Sequence, residues 1–323
     1  MADAYRVKAA AVIGAGTMGA AIAGLFARAG VAVSLMDRTA DLLDRGMLSF
    51  RSSQRTLQEA GLLTPEQARA AEDRVRPLTS LREACDGIDL LVESVSEDLA
   101  LKREVLASAD GLCPAAAIFA SNTSGLSITR LAEATGRPQN VAGMHFWNPP
   151  HIMPLVEVVR GERTSEAAAD FLLELARRLG KRPILVHRDV PGFVGNRLQF
   201  AVLREALHLL ESGIASAEDI DTAMTAGPGL RYGQIGPFAT ADLGGLDVFQ
   251  AICGYLFQDL ATAREPSPLL GALVEKGSTG VKAGKGFYDY PTGGAARLLA
   301  RRDRLLLAFL EALAREHSGG TDG

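Results

Sequence analysis

The sequence predicts an α/β protein: a doubly wound, mostly parallel sheet in residues 1–188, followed by an all-helical domain in residues 189–323. Three observations lead there. Short, continuous apolar runs alternate with helical periodicity up to residue 188, as expected of parallel strands covered on both faces. Beyond Asp189-Val-Pro-Gly192 strand-like runs almost vanish and amphipathic stretches take over. The 323 residues are enough for two domains, each with its own core.

In chain order, strands are expected at Ala9–Ile13, Val31–Met36, Asp89–Glu93, Ala117–Ala120, Val141–Phe146, Leu155–Val159 and Pro183–Val186. Between Lys8 and Arg28 lie 19 uncharged residues, a length that could suggest a membrane span. Gly14, Gly16, Gly19, Gly24 and Thr17 interrupt the run, and a second strand follows almost at once. It therefore reads as strand, glycine turn and helix. A longer helical insert is expected at 42–74, split at Gly61–Pro65. There Thr64-Pro65-Glu66-Gln67 offers an N-cap, a proline for the first turn and the partner of a capping box. In the second half, helices are expected at Phe193–Ser212, from Ser216, at Phe238–Leu256, Pro268–Lys276 and Ala295–Glu316, with a flexible tail at 318–323.

Composition excludes several functions. Lys plus Arg number 34 against 38 Asp plus Glu, an even, mildly acidic balance that makes the chain a poor candidate for binding nucleic acid or an anionic membrane, both of which need a basic face. Cys85, Cys113 and Cys253 have neither metal-ligand nor redox spacing, which implies reduced thiols in a cytoplasmic protein and no metal centre. Glycine numbers 34, of which 14 fall in residues 1–188 and 20 beyond. The excess marks long irregular loops in the helical part, six of them lying between Gly227 and Gly245.

Gly14-Ala-Gly16-Thr17-Met18-Gly19 is a G-x-G-x-x-G. Alone the pattern is weak. Placed between a strand and a helix, it reads as a Rossmann-type dinucleotide turn, with phosphates on the helix N-terminus. Asp37 ends the next strand, 23 residues after Gly14. A carboxylate there accepts ribose hydroxyls and repels a 2′-phosphate, which favours NAD over NADP despite the neighbouring Arg38.

Ser121-Asn122-Thr-Ser124 follows a strand, where open α/β sheets bind ligands. His145 lies in Gly143-Met-His-Phe-Trp-Asn-Pro-Pro150, and Glu157 follows in Leu155-Val-Glu-Val-Val. Oxidising an alcohol requires a base for the hydroxyl proton, and histidine titrates near neutral pH. Two strands joined by a short turn could pair His145 with Glu157. On these residues alone, a strand histidine is more often a satisfied core residue. His151 reads as a bystander near the site, and His187, His208 and His317 take no role.

Together these motifs resemble the short-chain L-3-hydroxyacyl-CoA dehydrogenases over residues 9 to about 290. The shared motifs are the Gly14 turn, Ser96-Glu-Asp-Leu-Ala-Leu-Lys102, the Ser121 and Gly143 segments with Glu157, Val190-Pro-Gly-Phe-Val-Gly-Asn-Arg-Leu198, and Gly280-Val-Lys-Ala-Gly-Lys-Gly-Phe-Tyr288. The resemblance implies an NAD-dependent enzyme of fatty acid metabolism, interconverting 3-hydroxybutyryl-CoA-like substrates with 3-ketoacyl-CoA. It also implies a homodimer formed through the helical domain. It makes His145 the general base and Glu157 its orienting partner, and puts Ser124 and Asn196 on the reacting oxygen, Asn196 coming from the second domain. Glu97, Lys102 and Asn122 would line the nicotinamide-ribose end of the cofactor.

The chain departs from that pattern in three places. The acyl-CoA enzymes carry Phe-Phe-Asn-Pro where this chain has Phe146-Trp-Asn-Pro. The segment Gly227 to Phe238 is longer by an Arg-Tyr insert. The insert lacks the lysines that commonly meet the CoA nucleotide, offering Arg51 and Arg55, which suit either a phosphate or a solvated face. These departures resemble the family's non-CoA branch, which includes L-gulonate 3-dehydrogenases and pyridine-carboxylate alcohol dehydrogenases. The readings left open are an acyl-CoA dehydrogenase, the same chemistry on a free 3-hydroxy acid or hydroxyalkyl aromatic acid, and a non-catalytic NAD-binding protein.

Overall fold

In the computed structural model, which describes residues 7–319, one eight-stranded sheet organises the N-terminal part in the order β3-β2-β1-β4-β5-β6-β7-β8. The elements run β1 (Ala9–Ile13), α1 (Thr17–Arg28), β2 (Ala32–Met36), α2 (Ala40–Glu59), α3 (Pro65–Glu72), β3 (Val75–Leu78), α4 (Leu81–Ala84), β4 (Leu90–Glu93) and α5 (Leu99–Asp110). They continue through β5 (Ile118–Ser121), α6 (Ile128–Ala132), β6 (Val141–Phe146), β7 (Leu155–Val159), α7 (Glu166–Arg178) and β8 (Arg182–Val186). Strands β1 to β6 are parallel, and β7 runs antiparallel to β6 and carries β8 with it.

Apolar residues on successive strand positions feed two cores, one on each sheet face. Ala10 and Val12 of β1 join Ile22 and Phe26 of α1, Phe50 of α2 and Leu172 of α7. Ala11 and Ile13 join Leu106 of α5, Phe119 of β5 and Leu131 of α6. This two-sided burial is why the strands read as unbroken apolar runs. Strand β3 escaped that reading. Its Val-Arg-Pro-Leu contains Pro77, which a sheet tolerates because β3 is an edge and pairs only with β2.

The helical insert is α2 and α3, and Thr64 and Gln67 close the expected capping box reciprocally. The chain continues through α8 (Gly195–Glu211), α9 (Ala217–Ala226), α10 (Pro228–Tyr232), α11 (Pro237–Gly244), α12 (Leu246–Leu256), α13 (Pro268–Glu275) and α14 (Gly294–Gly319). The single helix expected over Phe238–Leu256 is two, because Gly245 takes φ +90° between α11 and α12.

Two compact units emerge: residues up to Asn196 together with those from Arg301 on, and Arg197–Ala300. By this division Asn196 falls in the first unit. The end of the chain also belongs to the first unit, because Leu307 of α14 is buried among Leu57 of α2, Leu63 and Ile152. Of the expected flexible tail, residues 318–319 are the last of α14, and 320–323 lie outside the described residues. In the second unit, Glu211 accepts the Ser267 hydroxyl and the Leu269 amide, and Tyr288 donates to Asp221 at 2.6 Å.

Candidate active site

The Gly14 turn lies where β1 gives way to α1. Gly14 has φ +103°, and a Cβ there would lie 2.5 Å from the Ser94 carbonyl oxygen. A Cβ on Gly19 would strike the Gly14 carbonyl, so helix and turn meet only because Gly19 lacks one. At Gly16 a Cβ would meet no protein atom within 4 Å: its space belongs to a cleft of about 500 Å³. Gly14, Gly16, Thr17, Asp37, Arg38, Ser94 and other residues line that cleft. The backbone of Ala15 donates to Oδ2 of Asp37 at 2.8 Å, and that of Arg38 to Oδ1 at 2.7 Å. Each carboxylate oxygen keeps lone-pair capacity for a ribose hydroxyl. The cleft suits a dinucleotide. Met18 does not face it; its side chain packs against the core beside the turn.

Beyond the turn, the residues expected at the nicotinamide end knit three strand ends together. Lys102 is fully buried, with Nζ 2.8 Å from Oε1 of Glu93, 3.1 Å from the Val95 carbonyl and 3.4 Å from Oε2 of Glu97. Its ammonium is thus committed to protein partners. Glu93, which the sequence reading passed over, closes β4 and also accepts the Ser121 hydroxyl at 2.5 Å and the Val95 amide at 2.8 Å. A carboxylate ending the apolar run Leu-Leu-Val was the available signal. Glu97 accepts the Thr123 hydroxyl at 2.6 Å and the Ser124 amide at 2.8 Å, shaping the loop after β5. Asn122 accepts from the Phe146 amide at 2.9 Å and donates to Ser94, bracing β5 against β6. Asn196 donates Nδ2 to the Ser124 carbonyl at 2.8 Å, so these two expected oxygen-binding residues are brought together.

His145 and Glu157 form a register pair of the antiparallel β6 and β7, with Nδ1 2.8 Å from Oε2. An ionised carboxylate only accepts, so in the neutral ring Nδ1 carries the hydrogen and Nε2 keeps its lone pair. Glu157 is fully buried and takes three further donors: Trp147 Nε1 at 3.2 Å on Oε2, and the Val194 and Gly195 amides at 3.0 Å on Oε1. Burial pushes its carboxyl up, but the bonds from His145, Gly195, Val194 and Trp147 outweigh that and hold it below the usual range. The two amides are aimed by the turn at Gly192 (φ +76°) and Phe193 (φ +51°). Left-handed backbone is costly for phenylalanine, and burial of its ring holds it there. Nothing in the local sequence announces these amide donors or the Trp147 bond.

His151 lies apart from this group. Both ring nitrogens are buried without a hydrogen-bond partner among the described residues, and burial lowers its pKa to about 4. Nearby Lys181 donates to the Pro150 and Met153 carbonyls at 2.6 and 2.9 Å, holding the β6–β7 loop. In the insert, Arg51 is paired with Glu72 at 2.7 Å and Arg69 with Glu66 at 3.0 Å.

The NAD-binding domain of 3-hydroxyacyl-CoA dehydrogenase matches residues 9–190, and the C-terminal domain of the same enzymes matches 192–290. The chain belongs to the 3-hydroxyacyl-CoA dehydrogenase family. It is accordingly an NAD-dependent oxidoreductase acting on CH–OH groups. Within the family it is 35% identical to the 5-formyl-3-hydroxy-2-methylpyridine 4-carboxylate 5-dehydrogenase of Mesorhizobium japonicum, over 94% of this chain and 97% of that one. It is 38% identical to a 3-hydroxybutyryl-CoA dehydrogenase of Clostridioides difficile, over 87% of this chain and 98% of that one. The crystal structure of a 5-formyl-3-hydroxy-2-methylpyridine 4-carboxylic acid 5-dehydrogenase, described as an NAD+ dependent dismutase, superposes with a TM-score of 0.89. It is 34% identical and covers 96% of this chain and 99% of that one.

Proposed function

We propose that this member of the family oxidises the carbinol of a small free hydroxy acid, a 3-hydroxy acid or a hydroxyalkyl aromatic carboxylate, rather than a CoA thioester. The observation that carries this reading is the burial of Leu307 of α14 against Leu57 and Leu63 of the helical insert. The CoA enzymes this chain resembles use that insert for their nucleotide. Here Leu57, Leu63 and Ala68 of the insert lie under α14, and Arg51 and Arg69 face Glu72 and Glu66. Helix α14 lies beyond residue 290, where the family's own C-terminal domain match ends. The pyridine-carboxylate dehydrogenase matches 94% of this chain, against 87% for the butyryl-CoA enzyme. A short-chain 3-hydroxyacyl-CoA substrate is the second reading, favoured by the family's CoA members and their full-length match.

In this mechanism Nε2 of His145 takes the hydroxyl proton, and Glu157 fixes the tautomer and stabilises the imidazolium that forms. The Ser124 hydroxyl and the Asn196 amide hydrogen-bond the substrate oxygen and draw charge from it in the carbonyl-reducing direction. Asp37 and the Gly14 turn would hold NAD, which would supply the hydride acceptor; Glu97, Lys102 and Asn122 keep the cofactor-side loops in place. The protein works as a cytoplasmic homodimer. Apolar side chains exposed on the helical unit, Phe238 (87% exposed) and Leu243 (78%) among them, support the dimer. The free cysteines support a reducing compartment.

The test is NADH oxidation with acetoacetyl-CoA beside free acetoacetate and a panel of keto and formyl aromatic acids. Turnover of the free acids with none of the thioester is expected. Efficient turnover of acetoacetyl-CoA alone would overturn the reading.

A further inference from the structure

We infer that Trp147 is a positioning residue of the acid–base pair, its indole N–H both orienting and moderating the carboxylate on which His145 depends. The inference rests on the reading of His145 as the base, and adds a residue that acts through Glu157 rather than on substrate.

Trp147 Nε1 and His145 Nδ1 donate to the same oxygen, Oε2, at 3.2 and 2.8 Å. The other oxygen is occupied by the Val194 and Gly195 amides. A carboxylate has about four acceptor positions. Trp147 therefore completes the set and leaves Glu157 one arrangement, with Oε2 facing the imidazole. A donor on an anion also disperses its charge, and a carboxylate with dispersed charge holds an imidazolium less tightly. The proton taken from an alcohol is then easier to return when the reaction runs toward the alcohol.

Packing fixes the indole as firmly as its hydrogen bond. A Cβ on Gly195 would lie 2.4 Å from Cζ2 of the ring, so the ring rests directly on the first residue of α8. The ring centroid is 5.9 Å from that of His145, tilted by 49°. Phe193 lies 6.0 Å from the same imidazole. Glu157 is the ionisable side chain bonded to the His145 ring; the ring contacts from the other packed elements are the aromatic faces of Trp147 and Phe193. A phenylalanine at 147 could fill part of this wall but could not donate.

The experiment compares the full-length protein with Trp147→Phe and with a variant carrying 3-benzothienylalanine at 147, which keeps the ring shape and puts sulfur in place of N–H. The readout is NMR titration of the His145 ring nitrogens without substrate, with NADH affinity as the check on folding. Both variants are expected to raise the titration midpoint by about half a unit, since Oε2 then serves the imidazole alone. The acid limb of the kcat/KM profile should move the same way. A midpoint that stays or falls in the benzothienyl variant, with NADH binding intact, overturns the inference. If Trp147→Phe does not fold, the isosteric variant decides alone. The titration needs no substrate, so its failure is separate from any failure of the substrate reading.

Discussion

His145 and Glu157 face each other across β6 and β7 as a direct register pair, Nδ1 2.8 Å from Oε2. Two adjacent strands set this distance, so neither partner can be replaced without loss. His145→Ala should bind NADH normally and lose on the order of 10²–10⁴ in kcat, the usual share of a general base. Glu157→Gln should lose about 10² or more, because the amide no longer stabilises the imidazolium. Steady-state kinetics beside NADH fluorescence titration checks both. Near-native turnover in His145→Ala would remove the mechanism.

Asp37 lines the cleft at the Gly14 turn, its carboxylate anchored by the Ala15 and Arg38 amides. Asp37→Ala should weaken NAD binding about tenfold and relax the rejection of NADP, since one charge-assisted hydrogen bond and one repulsion go together. The ratio of kcat/KM for the two cofactors is the measurement. A wild-type protein that already prefers NADP would contradict the assignment.

His151 supplies a pH dependence with a definite sign. Burial first, and the positive charges of Arg28, Lys181 and Arg302 against the opposing Asp303, bring its pKa from 6.5 to about 4. Between those values the unfolded chain binds the extra proton, so stability rises with pH through the window. The full contribution is present above pH 6.5 and is lost as pH falls toward 4, by up to about 3 kcal/mol. His151→Asn should flatten this part of the curve. Urea denaturation of both proteins at pH 7, 5.5 and 4.5 shows it; parallel curves would mean that His151 is not buried neutral.

Leu307 joins α14 to the insert. Leu307→Ala should cost about 2–4 kcal/mol, the range for a buried leucine, read from the denaturation midpoint. If the substrate reading is right, it should also leave turnover of free acids in place. A loss below 0.5 kcal/mol would mean that α14 does not stay docked in solution.

The proposed homodimer predicts that wild type sediments as a dimer and that Phe238→Asp, on the helical unit, sediments as a monomer. An unchanged sedimentation coefficient would place the interface elsewhere.

Much of this could be read from residue order because it is local or periodic. The glycine turn and the Thr64 capping box each lie within a few residues, and the apolar runs follow from two-sided burial. The His145–Glu157 pair was legible as a possibility because a short turn separates its strands; only their register decides that the two residues meet. What escaped depends on long-range contact. Val75-Arg-Pro-Leu78 is a strand only because it lies at the sheet edge. Lys102, expected at the nicotinamide-ribose end, is fully buried against Glu93, a contact between a helix and a strand end that residue order does not reveal. Helix α14 reads as an ordinary amphipathic helix until Leu57 and Leu63 are found under it.

The turn at Phe193 has a further consequence. Two of the four groups holding Glu157 are main-chain amides, which every amino acid but proline supplies. Position 194 can therefore drift through almost any side chain with little effect on the dyad, and conservation there would badly underestimate its contribution. Proline at 194 alone exposes the dependence, by deleting an atom rather than a side chain.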